Sequence, residues 1–199
     1  MADLEQLRKI KQGVKHWNSW REQYPDIVIE LKETDLSSLE LPAIFLAQAN
    51  LFQANFEGTN LIAADLRECD LRYANLAYAN LIAANLRNSL LKQADLSSAL
   101  LQRCNLSEAN LVGANLAQGN LQGANLYESE LIGAYLYKAN LTGVKAINCH
   151  LNKAHLVRAN LFGADLRGAD LRWSDLRGAN LQEANLDGAL LDYSIFSKP

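Results

Sequence analysis

The amino-acid sequence predicts an all-β solenoid closed at its N-terminal end by an amphipathic helix, and three observations predict it. From Leu31 to Phe196 every fifth residue is apolar, with no insertion or deletion. Two residues before most of these centres stands a small residue, usually Ala, as at Ala54, Ala74 and Ala114. Before residue 31 the apolar spacing changes to steps of three and four.

The repeat comprises 34 centres, of which 31 are Leu and the others are Phe56, Phe196 and Ala146. Between the small residue and the centre lies Asn or Asp in most units, giving Ala114-Asn115-Leu116 and Ala164-Asp165-Leu166. A period of five suits neither common element. On an α-helix five residues advance about 500°, which spirals the leucines around every face. On a flat strand an odd step flips them to alternate sides. The pattern is coherent if the chain runs extended for about three residues and then bends, so that the small residue and the Leu share one side. Each bend returns the next pair inward, and the leucines line the inside of a coil.

This run of A-[ND]-L-x-x units resembles the pentapeptide-repeat proteins, and it covers roughly five-sixths of the chain. The resemblance implies a right-handed quadrilateral β-helix with four repeats per turn, here about eight coils stacked at roughly 4.8 Å into a rod about 40 Å long. The chain then divides into a capping helix with a lead-in strand over residues 1–30 and a β-helix over residues 31–199.

Stacking the sequence at the implied turn aligns Asn60, Asn80, Asn120, Asn140, Asn160 and Asn180, with Leu100 the one interruption. Such amides can bond each other and the turn backbone. Nine of the eleven glycines fall two residues after a centre, and all of these but Gly58 lie in the C-terminal half. Because the second corner of a type II turn needs φ > 0, this distribution predicts a change of dominant turn type along the rod.

In the cap, Leu4, Leu7, Ile10, Val14, Trp17, Trp20 and Tyr24 mark one face of a helix. Asp3 is its expected N-cap with Gln6 three residues on, Pro25 stops it, and Ile27 to Ile29 form the lead-in strand. The end of a solenoid exposes unpaired backbone and apolar interior, which the two tryptophans are suited to cover. A partner-binding helix is the rival reading. The stretch from Gly13 to Arg21 is similar to a leader common in bacterial, notably cyanobacterial, members. At the other end, Leu190, Tyr193 and Ile195 lie near a final coil without a cap. A weak end-to-end homodimer, as related members form, is expected there, unless Lys198 and Pro199 alone discourage pairing.

Nineteen Lys and Arg against 22 Asp and Glu leave a net charge of −3, which favours neither nucleic acid nor an anionic membrane. There is no basic, then apolar, leader and no run of 18 apolar residues. A cytoplasmic protein is the expectation.

The sequence assembles no catalytic constellation. Cys69, Cys104 and Cys149 take the small inward position, where a thiol behaves as an enlarged Ala. Their coils and walls keep them too far apart for a disulfide. His150 and His155 stand where Asn or Asp is usual, beside the one defect of the repeat, in which Val144 and Ala146 exchange sizes. A tolerated packing exchange with solvated side chains explains them. The sharper reading is an interaction patch of Tyr135, Tyr137, Lys145, His150, Lys153 and His155. The histidine pair lacks further ligands for a metal, and no triad, phosphate loop or carboxylate pair can be assembled. No cofactor and no catalysis are expected.

Outward positions carry the remaining information. Arg67, Arg87 and Arg167 share one column, Arg72, Lys92 and Arg172 the next, and Ile62, Ile82 and Phe162 an exposed apolar column on a third wall. The resulting expectation is a non-catalytic protein-interaction module or regulatory scaffold. The alternative, implied by the family resemblance, is a DNA mimic that binds a type II topoisomerase such as gyrase and protects it from quinolones. That role needs an acidic rod. Beyond residue 30 there are 17 acids and 14 bases.

Overall fold

The computed structural model describes residues 3–196, and Lys198 and Pro199 lie outside them. Two short helices precede the solenoid: α1 (Leu4–Lys11) and α2 (Val14–Gln23). The single helix expected from the spacing is broken at Gly13, whose φ of +105° no side chain tolerates cheaply. Asp3 is the N-cap, its carboxylate accepting from the amides of Glu5 and Gln6 at 2.8 and 3.1 Å. Helix α2 ends at Gln23, two residues before Pro25. Leu4 and Tyr24 fall outside the buried face, at 66% and 45% exposure, whereas Ile10 and Trp17 are buried. Ile27 and Val28 are also exposed, and the first ladder pairing waits until Glu30, so the lead-in strand is shorter than its hydrophobicity suggested.

From Glu30 onward the backbone pairs in parallel with itself at a constant offset, from Glu30 with Asn50 to Asp175 with Ile195. Pairings recur every five residues and always join positions 20 apart, so one coil contains four repeats and has four walls. Each wall contributes a short extended segment and each corner a turn. Every centre from Leu31 to Leu176 is buried. Those from Leu181 to Leu191 are half-buried, having no further described coil beneath them. Val144 and Ala146 are both 1% exposed, so the size exchange is absorbed inside the rod.

Hydrogen bonding explains why this unusual backbone persists, because a buried amide left unpaired is costly. Taking Leu51 as a centre, its amide donates to the Asp70 carbonyl and that of Gln53 to Arg72, both in the next coil. The Ala54 amide closes the corner on the Leu51 carbonyl, and the Asn55 amide reaches back to Thr34 in the preceding coil. That leaves the amide of Phe52. It donates to the Asn50 side chain at 3.3 Å. Every Asn or Asp immediately before a centre, from Asp35 to Asn185, accepts from the amide two residues on, at 2.9–3.4 Å. The repeat's polar residue is therefore the acceptor for the one amide in five that the ladder cannot serve. Amides also link coil to coil, as in Asn140 to Asn120 at 3.1 Å and Asn180 to Asn160 at 3.0 Å.

The expected change of turn type does not occur. At every described corner, from Glu33 to Tyr193, φ lies between +52° and +71°, glycine or not. A left-handed corner costs an L-residue roughly 1–2 kcal/mol. The two backbone bonds it enables, from the corner amide downward and from the following amide back to the centre, hold it in place. Glycine relieves that strain where it occurs without altering the turn.

Candidate interaction surface

The cap replaces a missing coil group by group. At Glu30 the amide donates to the Gln6 side chain at 2.9 Å and the carbonyl accepts from the Asp3 amide at 2.7 Å. At Phe45 the amide donates to Asn18 Oδ1 at 3.0 Å and the carbonyl accepts from Trp17 Nε1 at 2.8 Å. Gln6 also donates to the Val28 carbonyl, so it bridges cap and solenoid instead of completing a reciprocal box with Asp3. Two of the first coil's four ladder positions are thereby closed on both groups, and the Trp17 ring lies fully buried behind them.

On the walls, arginine is tied down. Arg67, Arg72, Arg167, Arg172 and Arg177 each fold back on the Asp two residues earlier, with paired contacts of 2.6–2.9 Å from Nε and Nη2. The same Asp accepts the arginine's own amide, so one carboxylate serves both turn and charge. Bonding from the arginines holds Asp70, Asp165, Asp170 and Asp175 below the usual carboxylate range. At Asp65 burial pushes the other way, and the bonds from Arg67 outweigh it. The sequence carried the signal in the five Asp-Leu-Arg triplets, since Asp replaces Asn where Arg follows the centre. Arg87, which follows Asn85, turns instead to Glu108 at 2.9 Å.

The candidate patch is distributed over three walls. Tyr135 and His155 occupy the same wall one coil apart, with ring centroids 4.8 Å apart and planes within 6°. Tyr137 follows at the next corner with the Lys138 ammonium 5.2 Å from its ring centre. His150 is on the neighbouring wall, paired through its backbone with Glu130 and Asp170, and Lys153 stands on the corner between the two. Lys145 is one wall further back, above Asp165. All six are exposed. A second exposed stack, Trp173 on Tyr193 at 4.2 Å and 14°, lies along the Lys153 corner. Its sequence signal was two aromatics one coil apart. Ile62, Ile82 and Phe162 are half-buried at the foot of their corners and form no exposed stripe.

Among the described residues no cluster of His, Cys, Asp and Glu could hold a metal ion. The thiols are buried, and desolvation pushes Cys69 and Cys149 up to about 12 and Cys104 upward as well. Such thiols supply neither nucleophile nor ligand at neutral pH. The surface depressions are shallow, and one lies between α2 and the first walls, beside Arg21, Phe45 and Arg67. No helix among the described residues is long and apolar enough to cross a membrane.

The family model for pentapeptide repeats matches in eight copies between residues 29 and 198. Solved structures to which the chain is similar include HetL, a pentapeptide repeat protein involved in heterocyst differentiation regulation in the cyanobacterium Nostoc sp. strain PCC 7120. It is 28% identical over 90% of this chain and 96% of its own, with a TM-score of 0.44. Rfr23 from the cyanobacterium Cyanothece 51142 is 25% identical over 90% and 97%, with a TM-score of 0.27. QnrB1, a plasmid-mediated fluoroquinolone resistance protein, is 20% identical over 80% and 92%, with a TM-score of 0.36. None superposes closely along its length. No curated protein matches the chain in sequence.

Proposed function

This chain belongs to the pentapeptide repeat family, and from that premise we propose that it is a non-catalytic protein-interaction module or regulatory scaffold that binds a protein partner on its outer walls. The fold is the family's right-handed quadrilateral β-helix. Its backbone, the Asn and Asp before its centres and its cysteines are committed to the rod, which leaves outward side chains on flat walls as the variable chemistry. One observation carries the proposal. At positions 135, 145, 150 and 155 the residue before the centre is Tyr, Lys, His and His, so four of five consecutive units lack the Asn or Asp acceptor, a denser loss than at scattered exceptions such as Glu40, Phe45, Leu90 and Leu100. Departures from a structural rule that cost stability are expected where a surface serves something else.

The duplex-mimic reading requires free acids along the walls. Here five wall aspartates are each neutralised by a bonded arginine. A supercoiling assay with purified gyrase separates the readings: inertness supports the interaction module, and inhibition or quinolone protection supports mimicry. Affinity capture from the source cells, repeated with one outward column at a time changed to Ala, identifies the wall. Loss of a specific protein with one column supports the proposal, and capture of none with the parent chain contradicts it. A weak homodimer through the last coil is supported by the exposure of Leu190, Tyr193 and Ile195 at 44%, 70% and 52%. Sedimentation at high concentration tests it, a strictly monomeric mass removing the idea.

A further inference from the structure

The acids of this protein are not evenly spread. Between Glu130 and Asp165 there is no Asp or Glu, an interval of 34 residues that holds Lys138, Lys145, Lys153, Arg158, His150 and His155. On a rod with a net charge of −3 this makes a basic belt nearly two coils deep. None of the four fixed cations makes a salt bridge among the described residues, in contrast to Arg67 and Arg72 above the belt and Arg167, Arg172 and Arg177 below its upper edge. Asp165, next below Lys145, is occupied by Arg167.

The belt has a front. On the wall of Tyr135 and His155, Lys153 stands at one corner, while Lys138 and Arg158 stack one coil apart at the other. The ring stack lies on the wall between these two corners, is exposed, and stands at two positions of that wall that lack the Asn or Asp acceptor. Below it the next carboxylate, Asp175, is closed by Arg177.

We infer that this face binds an acidic segment of the protein partner, its carboxylates meeting Lys138, Lys153 and Arg158 while an apolar side chain covers the Tyr135–His155 stack. The inference rests on the interaction-module reading and specifies the partner chemistry that the module selects. A protein segment fits better than nucleic acid because of extent. Two coils span only about 10 Å, enough for a few carboxylates but short for a polyphosphate. Along the same wall Asp95 lies two coils above Tyr135 and repels a continued anion.

The test uses the full chain and a fluorescein-labelled peptide of Glu and Asp with interspersed Leu, followed by anisotropy, beside a labelled DNA duplex. Three proteins are compared: the parent, K138Q/K153Q/R158Q, and K32Q/K92Q/R103Q, which has the same net charge with the losses placed elsewhere. The belt variant is expected to weaken peptide binding about tenfold, the sum of three surface charge contacts, and the relocated variant to change it less than twofold. A fourth protein, Y135N/H155N, restores the turn acceptors. It is expected to melt no lower than the parent and yet to bind the peptide about tenfold more weakly. Equal losses in the two charge variants, unchanged binding in Y135N/H155N, or tighter binding of the duplex through the belt would each overturn the inference. Capture of a cellular protein that survives K138Q/K153Q/R158Q would overturn it while leaving the interaction module standing.

Discussion

The indole N–H of Trp17 donates to the Phe45 carbonyl at 2.8 Å, across 28 residues of chain. That carbonyl belongs to the first coil, where a preceding coil would have supplied the donor. The ring itself covers the leucine interior. Trp17 thus does in one side chain what a solenoid end requires, pairing an open edge and shielding an apolar face.

Trp17→Ala is therefore expected to cost about 3–5 kcal/mol, read from urea denaturation. Removal of residues 1–24 should expose both edge and interior and drive aggregation, read by light scattering. A soluble, monomeric truncated rod would show that the helices serve a partner and not the solenoid.

Acid should act through the Asp-Leu-Arg pairs. Asp70, Asp165, Asp170 and Asp175 are held below the ordinary carboxylate range chiefly by bonding from the arginines. A depressed carboxylate stabilises the fold above its unfolded value, near 3.9, and loses that contribution as pH falls through its lower folded value. The melting temperature is expected to hold from neutrality to about pH 4 and to fall below it. Asp→Asn at these four positions should flatten the acid limb, since Asn still accepts the turn amide.

The shared left-handed corner gives opposite predictions for two substitutions. Tyr78 sits at φ +59° and is 65% exposed, so Tyr78→Gly should stabilise by about 1 kcal/mol through release of strain. Gly168→Ala should destabilise by at least that amount, because its new methyl meets the Asn148 side chain as well as the φ of +66°. Thermal melts of the two variants check the signs.

Asn120 accepts the Gln122 amide at 3.2 Å and the Asn140 side chain at 3.1 Å. Asn120→Ala leaves both donors without a protein acceptor and is expected to cost about 1–3 kcal/mol. Asn120→Asp should cost less, because it keeps the acceptor. Equal losses would contradict a role for the acceptor at position 120, since the carboxylate keeps both accepted bonds.

The rod was legible because its period is dictated by geometry that every unit repeats: Leu inward, a small residue beside it, a corner after it. The cap's helical face was legible for the same reason, through the steps from Leu7 to Trp20. What escaped were relations between residues on different turns or in different states. Gly13 looked like an ordinary helical position until its φ of +105° set the break between α1 and α2. The concentration of glycines implied two kinds of corner, whereas the ladder bonds force one conformation on Tyr, Trp and Glu as well. The columns showed where the basic side chains stand, but not that Arg67, Arg72, Arg167 and Arg172 are each spent on the Asp two residues earlier while Arg87 turns to Glu108. At the candidate patch the sequence brought out His150 and His155 as departures from the repeat and Tyr135 as a neighbour, but not the Tyr135–His155 stacking, which depends on the wall they share.

The most direct test of a binding wall is a photo-crosslinking amino acid placed in turn at Tyr135, on the aromatic and basic face, and at Gln122, on a different wall, with irradiation in the source cells. A single protein adduct at position 135, absent at 122 and lost when Lys138, Lys153 and Arg158 are changed to Gln, is the predicted result. Adducts equally frequent at both positions, or none at 135, would contradict it.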